Sequence, residues 1–244
     1  MRLTELTETI AAELGMKLSE VNTRGRFARE AGFLRSGPRG RGALDMEPAD
    51  LAAYLLAMVS FVEPTQSAFG LRELQRSNFE FCEWFDREAV EASLFETDEE
   101  RKPKKWRWSP APLSPLFGNI FETKDPIWCL AKLVAAVGHR PDDVALLKIE
   151  SKTDKDGLSV TLSYSEMATG EQMKDRFIQW SGDNSDGWYF PESDEIRRWT
   201  IDARFLLGES QMDQRSRTVA IEGVPLSRLI RRVSEAWEDH PDEN

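Results

Sequence analysis

The chain has 244 residues, 40% hydrophobic and 31% charged, with a formal net charge of -11, which suits one large core or two modest ones in a globular protein. No apolar run reaches the roughly 20 residues of a membrane helix, and Glu5 and Glu8 stand where a secretory signal is apolar; the expectation is a cytoplasmic protein with no membrane partner. Cys82 and Cys129 belong to no zinc pattern, and with His139 and His240 as the two histidines they are expected as buried thiols in a reducing compartment, with no metal and no cofactor.

Residues 4 to 14 are predicted helical, because Leu6, Ile10 and Leu14 recur at four-residue spacing, Thr4 can cap the start and Gly15 can end it. A short helix is expected at 18 to 22. A third follows from Arg24 or Gly25 to Ala31, with Phe27, Ala28 and Ala31 on one face and Gly32 as the stop. Gly37, Pro38, Gly40 and Gly42 then favour a tight excursion between short extended segments, 33 to 36 and 43 to 46. Pro48 opens a helix over 49 to 59 with Leu51, Leu55, Met58 and Val59 as its apolar stripe. Residues 71 to 94 read as one long helix. Dense charge and four prolines (Pro103, Pro110, Pro112, Pro115) make 96 to 115 a linker.

The second half begins with a helix over 126 to 137, capped by Asp125 and closed by Gly138. Strands are predicted at 145 to 150, 158 to 164, 174 to 180, 197 to 207 and 217 to 221, separated by turn-like DKDG, ATGE and GDNSDG. A last amphipathic helix spans 225 to 237, and the acidic tail after it is expected to be disordered.

Charge is segregated. NTRGRFAREAGFLRSGPRGRGA, residues 22 to 43, holds six arginines against one glutamate, a local +5, so the remainder of the chain carries -16. A basic patch of this kind can find phosphates even on an acidic protein.

The segment ETIAAELGMKLSEVNTRGRFAREAGFL resembles a helix-turn-helix, and RSGPRGRGAL, which follows it, resembles the wing of a winged helix. Such modules head many regulators of phage and prophage type. The resemblance covers about the first 60 residues and implies that Arg24 to Ala31 is a recognition helix, with Arg26 and Arg29 on its outer face. It puts Arg35, Arg39 and Arg41 on the wing, so the expected DNA-binding set is Arg24, Arg26, Arg29, Arg35, Arg39 and Arg41. A guanidinium fork suits that work, since it can take guanine O6 and N7 together or clamp a phosphate.

The expected fold class is α+β. A winged-helix-like domain with extending helices occupies 1 to 95, followed by the linker, a mixed domain with an antiparallel sheet over 116 to 237, and a tail at 238 to 244. The expected partners are double-stranded DNA, a second copy of the chain, and a protein bound through the acidic second half. The bland alternative stays open: the arginines pair with Glu20, Glu30, Asp45 and Glu47, and the module docks a protein. In KKWRW, 104 to 108, the tryptophans are expected to pack. GDNSDG fails the EF-hand order at both ends and reads as a hairpin turn, and GPRGRG lacks the lysine and hydroxyl of a P-loop. Neither histidine stands beside a nucleophile in a local motif, and no enzymatic activity is expected.

Overall fold

The structure, a computed structural model, describes residues 1–37, 44–59, 63–86, 106–108, 125–139, 144–154, 157–169, 171–172, 197–207 and 217–238. The first half supplies α1 (Leu3–Glu13), α2 (Leu18–Glu30), α3 (Pro48–Val59) and, after a 3-10 turn at Pro64–Gln66, α4 (Ser67–Gln75). Then come β1 (Asn78–Asp86), β2 (Trp106–Trp108), α5 (Pro126–His139), β3 (Val144–Asp154) and β4 (Gly157–Ala168). β5 (Arg197–Leu207), β6 (Arg217–Glu222) and α6 (Val224–Glu238) follow. The strands make one antiparallel sheet in the order β2-β1-β5-β4-β3-β6, and the class is α+β as expected.

The first two helices end as their glycines dictate. Gly15 and Gly32 have φ of 63° and 83°, a left-handed conformation that costs glycine little. It lets Met16 N–H reach the Ala11 carbonyl at 3.0 Å and Phe33 N–H reach Ala28 at 2.9 Å, the closing bonds of a Schellman end. At the start of α1 the cap differs from expectation: Glu5, not Thr4, accepts from a free backbone donor, Arg2 N–H at 2.9 Å.

α2 is one helix where two were predicted, with a break near 22 to 24. Gly25, which suggested a fresh start, lies buried in its middle. A Cβ there would stand 1.7 Å from the Tyr54 hydroxyl oxygen of α3, so the glycine is present for close helix approach, and the helix runs through it.

α3 is central. In PADLAAYLLAMV every residue from Asp50 to Val59 is buried, as befits a helix that is apolar on all sides. It packs on α2 and α4 within the first half and on α5, β3 and β6 in the second. Ser151 of β3 donates its hydroxyl to the Val59 carbonyl at the helix end. Burial of Leu51, Leu55 and Leu56, each 0% exposed, contributes on the order of 1.5–3 kcal/mol apiece. One hydrophobic core therefore runs from Leu6 of α1 to Val233 of α6, across the boundary expected at 96 to 115.

The predicted helix over 71 to 94 is corrected: α4 stops at Gln75 and β1 begins three residues later. NFEFCEWFD carries four aromatics, which favour a pleated, half-buried strand over a helix. β1 pairs with β5 from Asn78↔Leu206 to Asp86↔Trp199, with a register shift between Phe79 and Phe81. Inside the expected linker, Trp106 to Trp108 is a strand on β1, registered Cys82↔Trp108 and Trp84↔Trp106. The rest of that linker, the strand expected at 174 to 180, GDNSDG and the tail from 239 lie outside the described residues.

In the second half, Asp125 caps α5 as expected, accepting from Ile127 N–H at 2.8 Å. Leu147 and Ile149 of β3, Leu162 and Tyr164 of β4 and Phe205 of β5 turn into the core. Leu226, Leu229, Ile230 and Val233 of α6 meet them there. Cys129 is a buried thiol, as expected.

Candidate nucleic-acid interface

α1 and α2 are joined by the four residues Leu14 to Lys17, and α2 packs against α1, α3 and α4. Its inner face is Val21, Arg24, Gly25 and Ala28, all buried; Phe27 and Ala31, expected inward, are half-buried. The outer face follows from the helical period. Ser19, Asn22, Arg26 and Arg29 are exposed at spacings of three, four and three residues, one continuous stripe.

Arg26 and Arg29 thus stand together on the outside. The Arg26 guanidinium lies 4.7 Å over the Phe27 ring, and its Nε is 3.9 Å from Glu30. An exposed pair of that length holds the side chain weakly, so a stronger acceptor can take it.

Arg24 stands apart from them. It is 7% exposed and gives Nη1 to the Ala57 carbonyl at 2.9 Å, with Nε and Nη2 on Glu20 at 3.2 and 3.1 Å. A buried guanidinium needs such partners to offset desolvation, and here they tie α2 to the last turn of α3. Arg24→Ala is expected to lower stability by about 2–3 kcal/mol through the loss of buried, charge-assisted hydrogen bonds. Chemical denaturation checks this, and an unchanged unfolding midpoint would contradict the assignment.

Behind the stripe, Tyr54 joins three helices. Its hydroxyl and that of Thr7 on α1 are 2.8 Å apart, and its ring abuts Gly25 of α2. Burial pushes the phenol pKa up from its ordinary value near 10, partly offset by the Thr7 hydrogen bond and the charge of Arg29. The folded chain therefore holds this proton more tightly than the unfolded chain. The resulting stability is fully present below about pH 10 and is lost as pH climbs through the raised value. Wild type should lose stability above pH 10 more steeply than Tyr54→Phe, measured by urea unfolding across pH 8 to 11. Parallel curves would sink the prediction.

The excursion after α2 is fastened at its base. Leu34 is buried, and Arg35 N–H and Nε donate to the two Asp50 carboxylate oxygens at 2.8 and 2.9 Å. The remaining Arg35 nitrogens reach Glu47 and the Asp45 carbonyl. Asp50 also accepts from Glu47 N–H at 2.8 Å, so one carboxylate caps α3 and holds the outgoing arm. The returning arm forms an antiparallel bridge, Asp45 with Arg2, and Met46 N–H bonds the Met1 carbonyl at 2.8 Å. The arms meet where a Cβ on Gly37 would stand 2.8 Å from Leu44 Cγ and 3.3 Å from its nitrogen. Arg39 and Arg41 lie outside the described residues.

The six expected arginines thus separate by position. Arg26 and Arg29 share an exposed face, Arg24 is interior, and Arg35 is engaged at the base of the excursion. Ser19 and Asn22 were missed by the sequence reading, which broke the helix between them and Arg26. An unbroken 3.6-residue period from Leu18 to Glu30 is the signal that finds them. Among the described residues no group of three or more His, Cys, Asp or Glu stands where it could hold a metal ion. No helix among them is long and apolar enough to cross a membrane. No family model matches the chain, and neither a curated protein nor a solved structure does.

Proposed function

We propose that the chain is a sequence-specific double-stranded DNA-binding transcriptional regulator of phage or prophage type, acting in the cytoplasm. In this reading α1 and α2 form a helix-turn-helix, α2 is the recognition helix, and RSGPRGRGAL, residues 35 to 44, is the wing of a winged helix. The observation that carries it is the exposed stripe Ser19, Asn22, Arg26 and Arg29 on a helix whose other face is anchored in the core. Arginine on guanine O6 and N7, and asparagine on adenine N6 and N7, are the bidentate pairings the major groove accepts, each discriminating by about 1–3 kcal/mol.

Other residues take supporting parts. Arg24 holds α2 against α3, Arg35 holds the base of the wing, and Arg39 and Arg41 reach phosphates or the minor groove from it. The -16 of the remaining chain limits adhesion to unrelated DNA. Two copies bind two half-sites, because one short helix supplies little affinity alone. The acidic second half binds a protein partner.

Selection of a random duplex pool with the intact chain tests the proposal. It should return an enriched site whose log affinity falls linearly with log salt. A pool that stays unenriched would leave the other reading, a docking module working through its acidic surface.

A further inference from the structure

The terminal helix α6 brings more arginines to the same neighbourhood. Arg228 Nε lies 3.5 Å and Arg232 Nη1 3.2 Å from the two oxygens of Glu13, the last residue of α1 and only four residues ahead of Lys17, the N-cap of α2. Glu13 is 18% exposed at its side chain, whereas Arg228 and Arg232 are 63% and 59% exposed. Arg231 is exposed beside them.

One carboxylate cannot neutralise two guanidiniums, and it cannot take up the five N–H donors that each presents. The contact therefore brings both guanidiniums to the end of α1 and leaves an excess of positive charge at the surface. From Ser227 to Glu235 the helix carries three arginines against one glutamate. Lys17, the N-cap of α2, is exposed as well.

We propose that Arg228, Arg231 and Arg232 form a second phosphate-binding surface, which grips the DNA backbone beside the groove entered by α2. This rests on the DNA-binding reading and deepens it: the carboxy-terminal helix becomes part of the DNA interface. Backbone contacts of this kind set register and affinity and carry no sequence information. Glu13 positions the two flanking guanidiniums.

The test uses the intact chain and a duplex site selected with it. Binding is titrated against salt for wild type, Arg231→Gln, and the triple variant Arg228→Gln, Arg231→Gln, Arg232→Gln. Each lost phosphate contact should reduce the slope of log affinity against log salt by about 0.9. The triple variant should therefore be shallower by between about 2 and 3, with the preferred site unchanged. Arg231→Gln alone leaves both Glu13 pairs in place and should still lose about 0.9, so the test survives if the triple variant fails to fold. Wild-type binding with unchanged slopes in the folded variants overturns this inference and spares the DNA reading. Absence of any wild-type binding overturns both.

Discussion

Gly25→Ala is expected to destabilise the chain by about 3 kcal/mol, at the upper end of what overpacking a core costs, and Gly25→Val to prevent folding. A Cβ at this position would lie 1.7 Å from Tyr54 Oη, 2.3 Å from Cζ and 2.9 Å from Cε1. Tyr54 is 1% exposed and bonded to Thr7, so its ring cannot swing aside without losing that bond and disturbing α1. The opposing term is helix propensity, which favours alanine over glycine by roughly 1 kcal/mol in a helix interior. It is too small to win against a clash with three ring atoms. Tyr54→Phe removes the nearest of the three and should recover part of the loss, giving a favourable coupling on the order of 1 kcal/mol in a double-mutant cycle. Denaturant unfolding of the four proteins measures it. Gly25→Ala at or above wild-type stability would mean the helices do not approach as described.

Asn22→Ala combined with Arg26→Ala is expected to weaken binding to the selected DNA site by about 2–6 kcal/mol, the sum of two bidentate base contacts. Both positions are exposed, and substitutions there should move stability by no more than about 0.5 kcal/mol. That contrast separates them from Arg24→Ala, whose cost falls on folding. Arg39→Gln and Arg41→Gln should instead weaken all duplexes alike and flatten the salt dependence, as phosphate contacts do. Affinities for the selected and a scrambled duplex distinguish the two classes. If the double variant loses affinity equally for both, the stripe touches only the backbone.

Helical and strand periods in the sequence were enough for the α+β class and for elements such as β5, whose expected bounds, 197 to 207, are those observed. Other elements were illegible for identifiable reasons. Gly25 reads as a helix break because an isolated glycine has two meanings, a free backbone or a close neighbour, and its neighbour Tyr54 is 29 residues away. In 71 to 94, Leu71, Leu74, Phe81 and Phe85 fall at helix-like intervals, and the aromatic density of NFEFCEWFD was the better signal.

The arginines show the same limit at the candidate site. Arg24 and Arg26 are indistinguishable by composition and only two residues apart, yet two residues turn a helix by about 200°, which puts one in the core and the other in solvent. That assignment needed α2 to be unbroken. α3 explains the attachment of the second half to the first: a helix buried from Asp50 to Val59 needs cover on every side, and α5 and the sheet supply what α1, α2 and α4 do not.

The proposed function requires that α2 read bases through its outer stripe. It is tested most directly by measuring wild type and Arg26→Ala against every single-base variant of the selected site. Arg26→Ala is expected to lose discrimination at one guanine-containing base pair, by about 1–3 kcal/mol, and to keep it at the others. A uniform fall across all variants, with every preference intact, would contradict it.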